Sequence, residues 1–222
     1  MTAVAWVFGL FGALAMLLAL SRVAAGGHVA AAWHGALSAA LVGAAVVVGV
    51  LAADLASYEP RVGDRPIAEL YFEQVGTRRY RATLTRLPGG RMQVFELVGD
   101  TWRIDARTLD FGGWVRAIGG RPGYRLDRLV ALERAPGGGA AEPSPTARFA
   151  LGTRDGFDLW RVSRSSGRWR ELVTASDAHS EELPMSGKSR FELTLAGDRI
   201  EVQPTGDAAE EMIAEESAAP AR

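Results

Sequence analysis

The chain contains no cysteine. Disulfides, thiol catalysis and cysteine-zinc centres are therefore excluded. Histidine is scarce, at three residues. Two of them, His28 and His34, lie in the apolar N-terminal region, so His179 has no histidine partner nearby and a histidine-based metal site is not expected. Lysine occurs once, at Lys188, and every other basic side chain is arginine. Charge is absent altogether from two long stretches, Ala3 to Leu20 and Gly35 to Ala53; Arg22 is the one charged residue in the connection between them.

Each uncharged run has about the 18 to 20 residues that a helix needs to cross a hydrocarbon core. The pair predicts a transmembrane hairpin over residues 1–55. A cleaved signal peptide fits less well, because Met1 to Ala5 has no basic residue and the apolar run exceeds the usual length. Small residues recur at Ala5, Gly9 and Ala13, and again at Gly35, Ala39 and Gly43, the spacing of a close helix–helix seam. Neither run holds an ionisable group that would build a substrate pathway.

After a polar connector, 56–66, residues 67–204 read as one β-rich (α+β) domain, an antiparallel meander or partial barrel with one or two short helices. Ala68, Leu70 and Phe72 alternate with Glu69, Tyr71 and Glu73, and Tyr80, Ala82 and Leu84 alternate with arginines and threonine. Gly76-Thr77, Pro88-Gly89-Gly90, Gly99-Asp100 and Gly197-Asp198 are turn signals. Met92 to Val98, Trp102 to Leu109, Tyr124 to Leu129, Arg148 to Leu151, Arg190 to Leu195 and Arg199 to Gln203 complete the expected strands. Trp102, Ile104 and Ala106 should face the core, with Arg103, Asp105 and Arg107 toward solvent. Trp114 to Ile118 suggests one helical turn, and Gly156 to Val173 suggests a helix interrupted near Ser166. Pro136 to Pro145 is loop-like, and 205–222 reads as an acidic disordered tail.

The head, Arg61 to Gly206, holds 23 basic and 19 acidic residues. That excess is too small and scattered to predict nucleic-acid binding. Ser186-Gly187-Lys188-Ser189 copies the end of a phosphate-binding loop, but Glu182 stands where the pattern needs glycine. Ser186 with Lys188 as a nucleophile pair reads better as a polar turn. Asp105 and Asp127 have the chemistry of paired carboxylates, yet the arginines beside each would keep both ionised. The best functional candidate is the arginine set Arg103, Arg107, Arg125 and Arg128. If the two strands are neighbours, they form a face for anionic lipid headgroups, glycans or an acidic partner. The competing reading is a structural ladder neutralised by Asp105 and Asp127. No cofactor and no metal are expected.

The runs Gly99-Asp100-Thr101-Trp102-Arg103-Ile104-Asp105-Ala106-Arg107, Trp114, Tyr124-Arg125-Leu126-Asp127-Arg128-Leu129, Gly156-Phe157-Asp158-Leu159-Trp160-Arg161 and Leu183-Pro184-Met185 resemble a family of small, mainly proteobacterial, two-span membrane proteins. These are commonly labelled cation/multidrug efflux pumps or multidrug transporters. The resemblance implies an inner-membrane protein with a periplasmic head, and its label suggests an accessory subunit of an efflux or other transport complex. The reading preferred here is a non-enzymatic, membrane-anchored envelope module that binds a partner protein or lipid; an envelope hydrolase is the further alternative. Family members carry a more basic inter-span loop. Here Arg22 stands alone against Arg61 and Arg65, a tally that by itself leans toward a cytoplasmic head.

Overall fold

Apolar helices open the chain: α1 spans Thr2–Ala24 and α2 spans His28–Leu55. The computed structural model describes residues 2–25, 28–61, 63, 65–117, 120–133, 144–152, 156–165, 167 and 171–205. The chain divides into two units, Met1–Tyr58 with Asp155–Leu159, and Glu59–Arg154 with Trp160–Arg222.

In the first unit, α1 and α2 pack on each other. The seam uses Gly12, Ala15 and Ala19 of α1, which are buried, with Ala31 and Ser38 of α2. The Ser38 hydroxyl donates to the Gly12 carbonyl at 2.8 Å. A Cβ on Gly12 would sit 2.9 Å from Val42, so only glycine permits this approach. The expected stripe is corrected here: Gly9, Gly35 and Gly43 have no neighbour where a Cβ would project. The seam lies on a different face, because the Ser38 hydrogen bond and the Gly12 contact outweigh mere smallness. Trp6, Leu10, Leu17, Trp33 and Val46 are exposed on these helices. Helix α2 is long and apolar enough to cross a membrane. The apolar stretch found in α1, Gly9–Ala24, is shorter. One candidate span is therefore present among the described residues, where two were expected.

The second unit is a curled, half-barrel sheet of eleven strands. These are β1 (Glu59–Pro60), β2 (Pro66–Gly76), β3 (Arg79–Arg86), β4 (Arg91–Val98), β5 (Thr101–Phe111), β6 (Gly123–Glu133), β7 (Ser144–Ala150), β8 (Val173–Ser180), β9 (Leu183–Pro184), β10 (Arg190–Ala196) and β11 (Arg199–Pro204). Helices α3 (Gly113–Ala117) and α4 (Leu159–Ser165) are short. The hairpins β2–β3, β3–β4 and β10–β11 form at their turn signals. Ala68, Leu70, Phe72, Ala82 and Leu84 are fully buried, as their alternation requires. Glu73 meets Arg81 across the hairpin, whereas Arg79 turns to Glu96.

The meander breaks at Gly99-Asp100, which is not a hairpin. Strand β4 ends the sheet order, and β5 pairs with β6 and β8 in the other half. The chain crosses over because Asp100 donates its N–H to the Leu132 carbonyl at 2.9 Å. A Cβ on Gly99 would lie 2.5 Å from that same oxygen. Arg78, at φ 55° in the β2–β3 turn, clamps Asp100 with two hydrogen bonds and Glu133 with a third. Those bonds, Glu133 first, raise the Arg78 pKa above its ordinary value. At the two ends of the sheet, β4 and β7 meet through side chains. Phe95 and Phe149 have ring centroids 5.3 Å apart, and the Thr146 hydroxyl donates to the Val98 carbonyl.

Other expectations are corrected as well. Val173 begins a strand rather than ending a helix, and α4 covers only Leu159–Ser165. Strands β8 and β9 had no sequence signal, since β8 (Val-Thr-Ala-Ser-Asp-Ala-His-Ser) is mostly small and polar. Ser144 and Pro145 belong to β7. The rest of the proposed loop, Ile118, Trp169 and the tail from Gly206 lie outside the described residues.

Glu59 and Pro60, within the expected connector, pair as β1 with Tyr124 and Gly123. The Tyr124 hydroxyl donates to Glu59 at 2.7 Å. Burial, then this bond, pushes the Tyr124 pKa above the ordinary tyrosine range. The folded state therefore holds this proton more tightly than the unfolded chain does. Its contribution is complete below pH of about 10 and is lost as pH rises beyond that value. Urea unfolding across that range should show a falling stability, and Tyr124→Phe should flatten the fall. An unchanged slope in the variant would assign it to other groups.

Candidate functional site

Strands β6, β5 and β8 lie side by side, so the two arginine-bearing strands are neighbours. Register sets two rows across them. Arg128, Asp105 and His179 form one row, and Arg125, Arg107 and Asp177 form the next. A register shift between Asp105 and Ala106 leaves Asp127 as an extra residue on β6. This β-bulge changes the phase of the strand. Tyr124 and Leu126 point into the core before it, and Leu129 and Ala131 after it. Asp127 and Arg128 consequently both lie on the side away from the core, which strict alternation would forbid.

The bulge assembles a charge network. Asp105 is approached by Arg103 at 3.2 Å, Arg128 at 3.7 Å and the His179 Nδ1 at 3.0 Å. Asp127 meets Arg107 at 3.3 Å and Arg128 at 3.0 Å. Arg103 also lies 3.8 Å from Glu182. Helix α4 adds Trp160, whose indole N–H donates to the Ser176 carbonyl at 3.0 Å. The Arg107 guanidinium stacks on the Trp160 ring at 4.3 Å, and Arg164 lies against the same ring at 4.8 Å. Arg164 is paired with Asp177.

The expectation that Arg107 faces solvent is corrected. Arg107 is 7% exposed and Arg125 8%, while Asp105 and Asp127 are 5% exposed. Both faces of β5 are covered: Trp102, Ile104 and Ala106 face the core, and Leu109 and Phe111, on the Arg107 side, are buried too. Only Arg103 and Arg128 keep about a third of their side chains in solvent. The four candidate arginines thus come together, but Arg107 and Arg125 are interior rather than surface cations, and Arg107 is held in an ion pair with Asp127.

His179 and Trp160 are the members that sequence reasoning did not assign to the site. His179 carried no motif, and Trp160 is one of six tryptophans. The Gly-Lys-Ser segment is a tight turn before β10. Lys188 takes φ 68°, and the buried Ser189 hydroxyl donates to the Ser186 carbonyl at 2.7 Å. The segment leads into a strand, whereas a phosphate-binding loop leads into a helix. No group of three or more potential metal ligands occurs among the described residues.

Beside the network the sheet is split. Strand β11 pairs with β8, in parallel, only at Arg199–His179 and Ile200–Ser180. Beyond that short seam lies a cavity of about 730 Å³, lined by His179, Ser180, Glu181 and Leu183 and by Asp198 to Gln203. His179, half exposed, connects the cavity to Asp105.

No protein-family model, curated protein or solved structure matches this chain.

Proposed function

We propose that this chain is a membrane-anchored, non-enzymatic binding module, carried by two spans in a bacterial inner membrane with its β-rich unit in the periplasm. The observation that carries the non-enzymatic reading is the ion pairing of Asp105 and Asp127. Three arginines and a histidine occupy the two buried carboxylates, and carboxylates so engaged serve architecture. The apolar length of α2 supports the anchor, and the exposed aromatic and aliphatic side chains of α1 support a second span. The periplasmic placement leans on the resemblance to two-span envelope proteins.

Carbonate extraction of membranes is the first test. The full chain should stay in the membrane fraction, and its release intact would refute the anchor. For orientation, a reporter enzyme active only outside the inner membrane should be active when fused after Gly206. Activity of a cytoplasm-only reporter at that position would reverse the topology.

A further inference from the structure

Where β1 and β6 approach the β3–β4 turn, the β-rich unit holds a second cavity, of about 670 Å³. One wall is apolar and includes Ile67, Leu87, Pro88 and Leu195. Around the cavity stand Arg61, Arg65, Arg86 and Arg91. Arg86 is half-buried and engaged: its guanidinium donates to the Leu151 carbonyl and to Gln93. Burial lowers its pKa; Glu59 opposes that and Arg91 adds to it. Glu59 in turn is occupied by the Tyr124 hydroxyl. Arg61, Arg65 and Arg91 have no carboxylate partner among the described residues; Asp64, between the first two, lies outside them.

Four guanidinium groups against the single carboxylate of Glu59 in the lining favour an anion, and phosphate matches their planar donor geometry best. A bare inorganic anion would leave the apolar wall wet. An amphiphile satisfies both parts of the cavity. In sequence, only Ala56, Ser57 and Tyr58 separate Leu55, the end of the apolar helix, from Glu59. Four residue steps reach at most about 14 Å.

We infer that this cavity binds one anionic phospholipid, its phosphate held by Arg61, Arg65 and Arg91 and an acyl chain laid along Ile67, Leu87 and Leu195. The inference rests on the membrane anchoring proposed above and adds the site and the ligand class. It also moves lipid recognition away from the buried Arg107 and Arg125.

Native mass spectrometry of the detergent-solubilised full chain tests it, with phosphatidylglycerol and phosphatidylcholine as probes. Phosphatidylglycerol should bind preferentially. Arg65→Gln with Arg91→Gln should weaken it about 30-fold, two basic contacts at a membrane surface each contributing about fivefold. Both side chains are exposed, so the variant should keep the wild-type unfolding midpoint; if it does not, Arg91→Gln alone should still weaken binding several-fold. Arg79→Gln with Arg81→Gln removes the same charge from the outer face of β3 and should leave binding unchanged. Equal loss in that control, or no preference for phosphatidylglycerol in the wild type, would overturn the site. Complete displacement by millimolar inorganic phosphate would overturn the lipid assignment in favour of a free phosphate. Release of the wild type by carbonate with site-dependent lipid binding intact would refute the anchor and not the cavity. Retention without that binding would do the reverse.

Discussion

Trp102→Ala is expected to destabilise the β-rich unit by about 3 to 5 kcal/mol. Trp102 is fully buried on β5. Its ring lies 5.3 Å from that of Phe72 on β2 and 5.2 Å from that of Phe191 on β10. Neither strand is hydrogen-bonded to β5, so these contacts cross the interior and join the two halves of the curled sheet. Truncation to alanine removes that bridge and leaves a cavity that the strands cannot collapse around. The loss is a large part of a typical domain's stability. The indole N–H of Trp102 has no hydrogen-bond partner. Trp102→Phe therefore sacrifices no hydrogen bond and should cost only about 1.5 kcal/mol or less. Urea unfolding of the full chain in detergent would read both values. A cost for Trp102→Ala near that of Trp102→Phe would mean that the ring does not tie the halves together.

Asp127→Ala is expected to cost about as much, roughly 3 to 5 kcal/mol, because it breaks a buried ion pair by removing one partner. Asp127 sits between Arg107 and Arg128, and Arg107 is enclosed beneath Trp160. The charge left behind cannot reach bulk water without displacing α4. Replacing the pair together, Arg107→Met with Asp127→Leu, should recover most of the loss, since a well-packed apolar pair avoids the desolvation cost. Arg103→Gln, on a side chain one-third in solvent, should change stability by about 1 kcal/mol or less. A double variant as unstable as Asp127→Ala would show that the ion pair stabilises the fold in its own right. A mild Asp127→Ala would show that water reaches Arg107 readily.

The hairpin turns were legible because they are local. Gly76-Thr77, Pro88-Gly89-Gly90 and Gly197-Asp198 bring adjacent strands into contact through a few dihedral angles, and the alternation on either side then sets which residues are buried. Gly99-Asp100 carries the same signal and forms no hairpin. Its outcome depends on Leu132 and Arg78, partners distant in sequence. The arginine set was legible as residues, whereas the adjacency of its two strands was a condition that only the pairing of β5 with β6 met. Its burial was not, because alternation reports which two faces exist and not whether a helix covers the second one. Trp160 and the short α4 supply that cover.

The sequence by itself determined the apolar N-terminal region, the β-rich character of residues 67–204 and the core face of β2, β3 and the first half of β5. Those properties come from hydropathy and from a period of two residues, both carried within a few positions of chain. Tertiary structure alone decided the crossover after β4, the split between β8 and β11, and the one-residue bulge at Asp127. That bulge turns Arg128 to the same side as Asp127 and makes a closed ion network out of what alternation reads as an open cationic face. The physical reason is one of range. Strand periodicity is a local property, whereas the pairing of a charge depends on which distant strand lies opposite it and in what register.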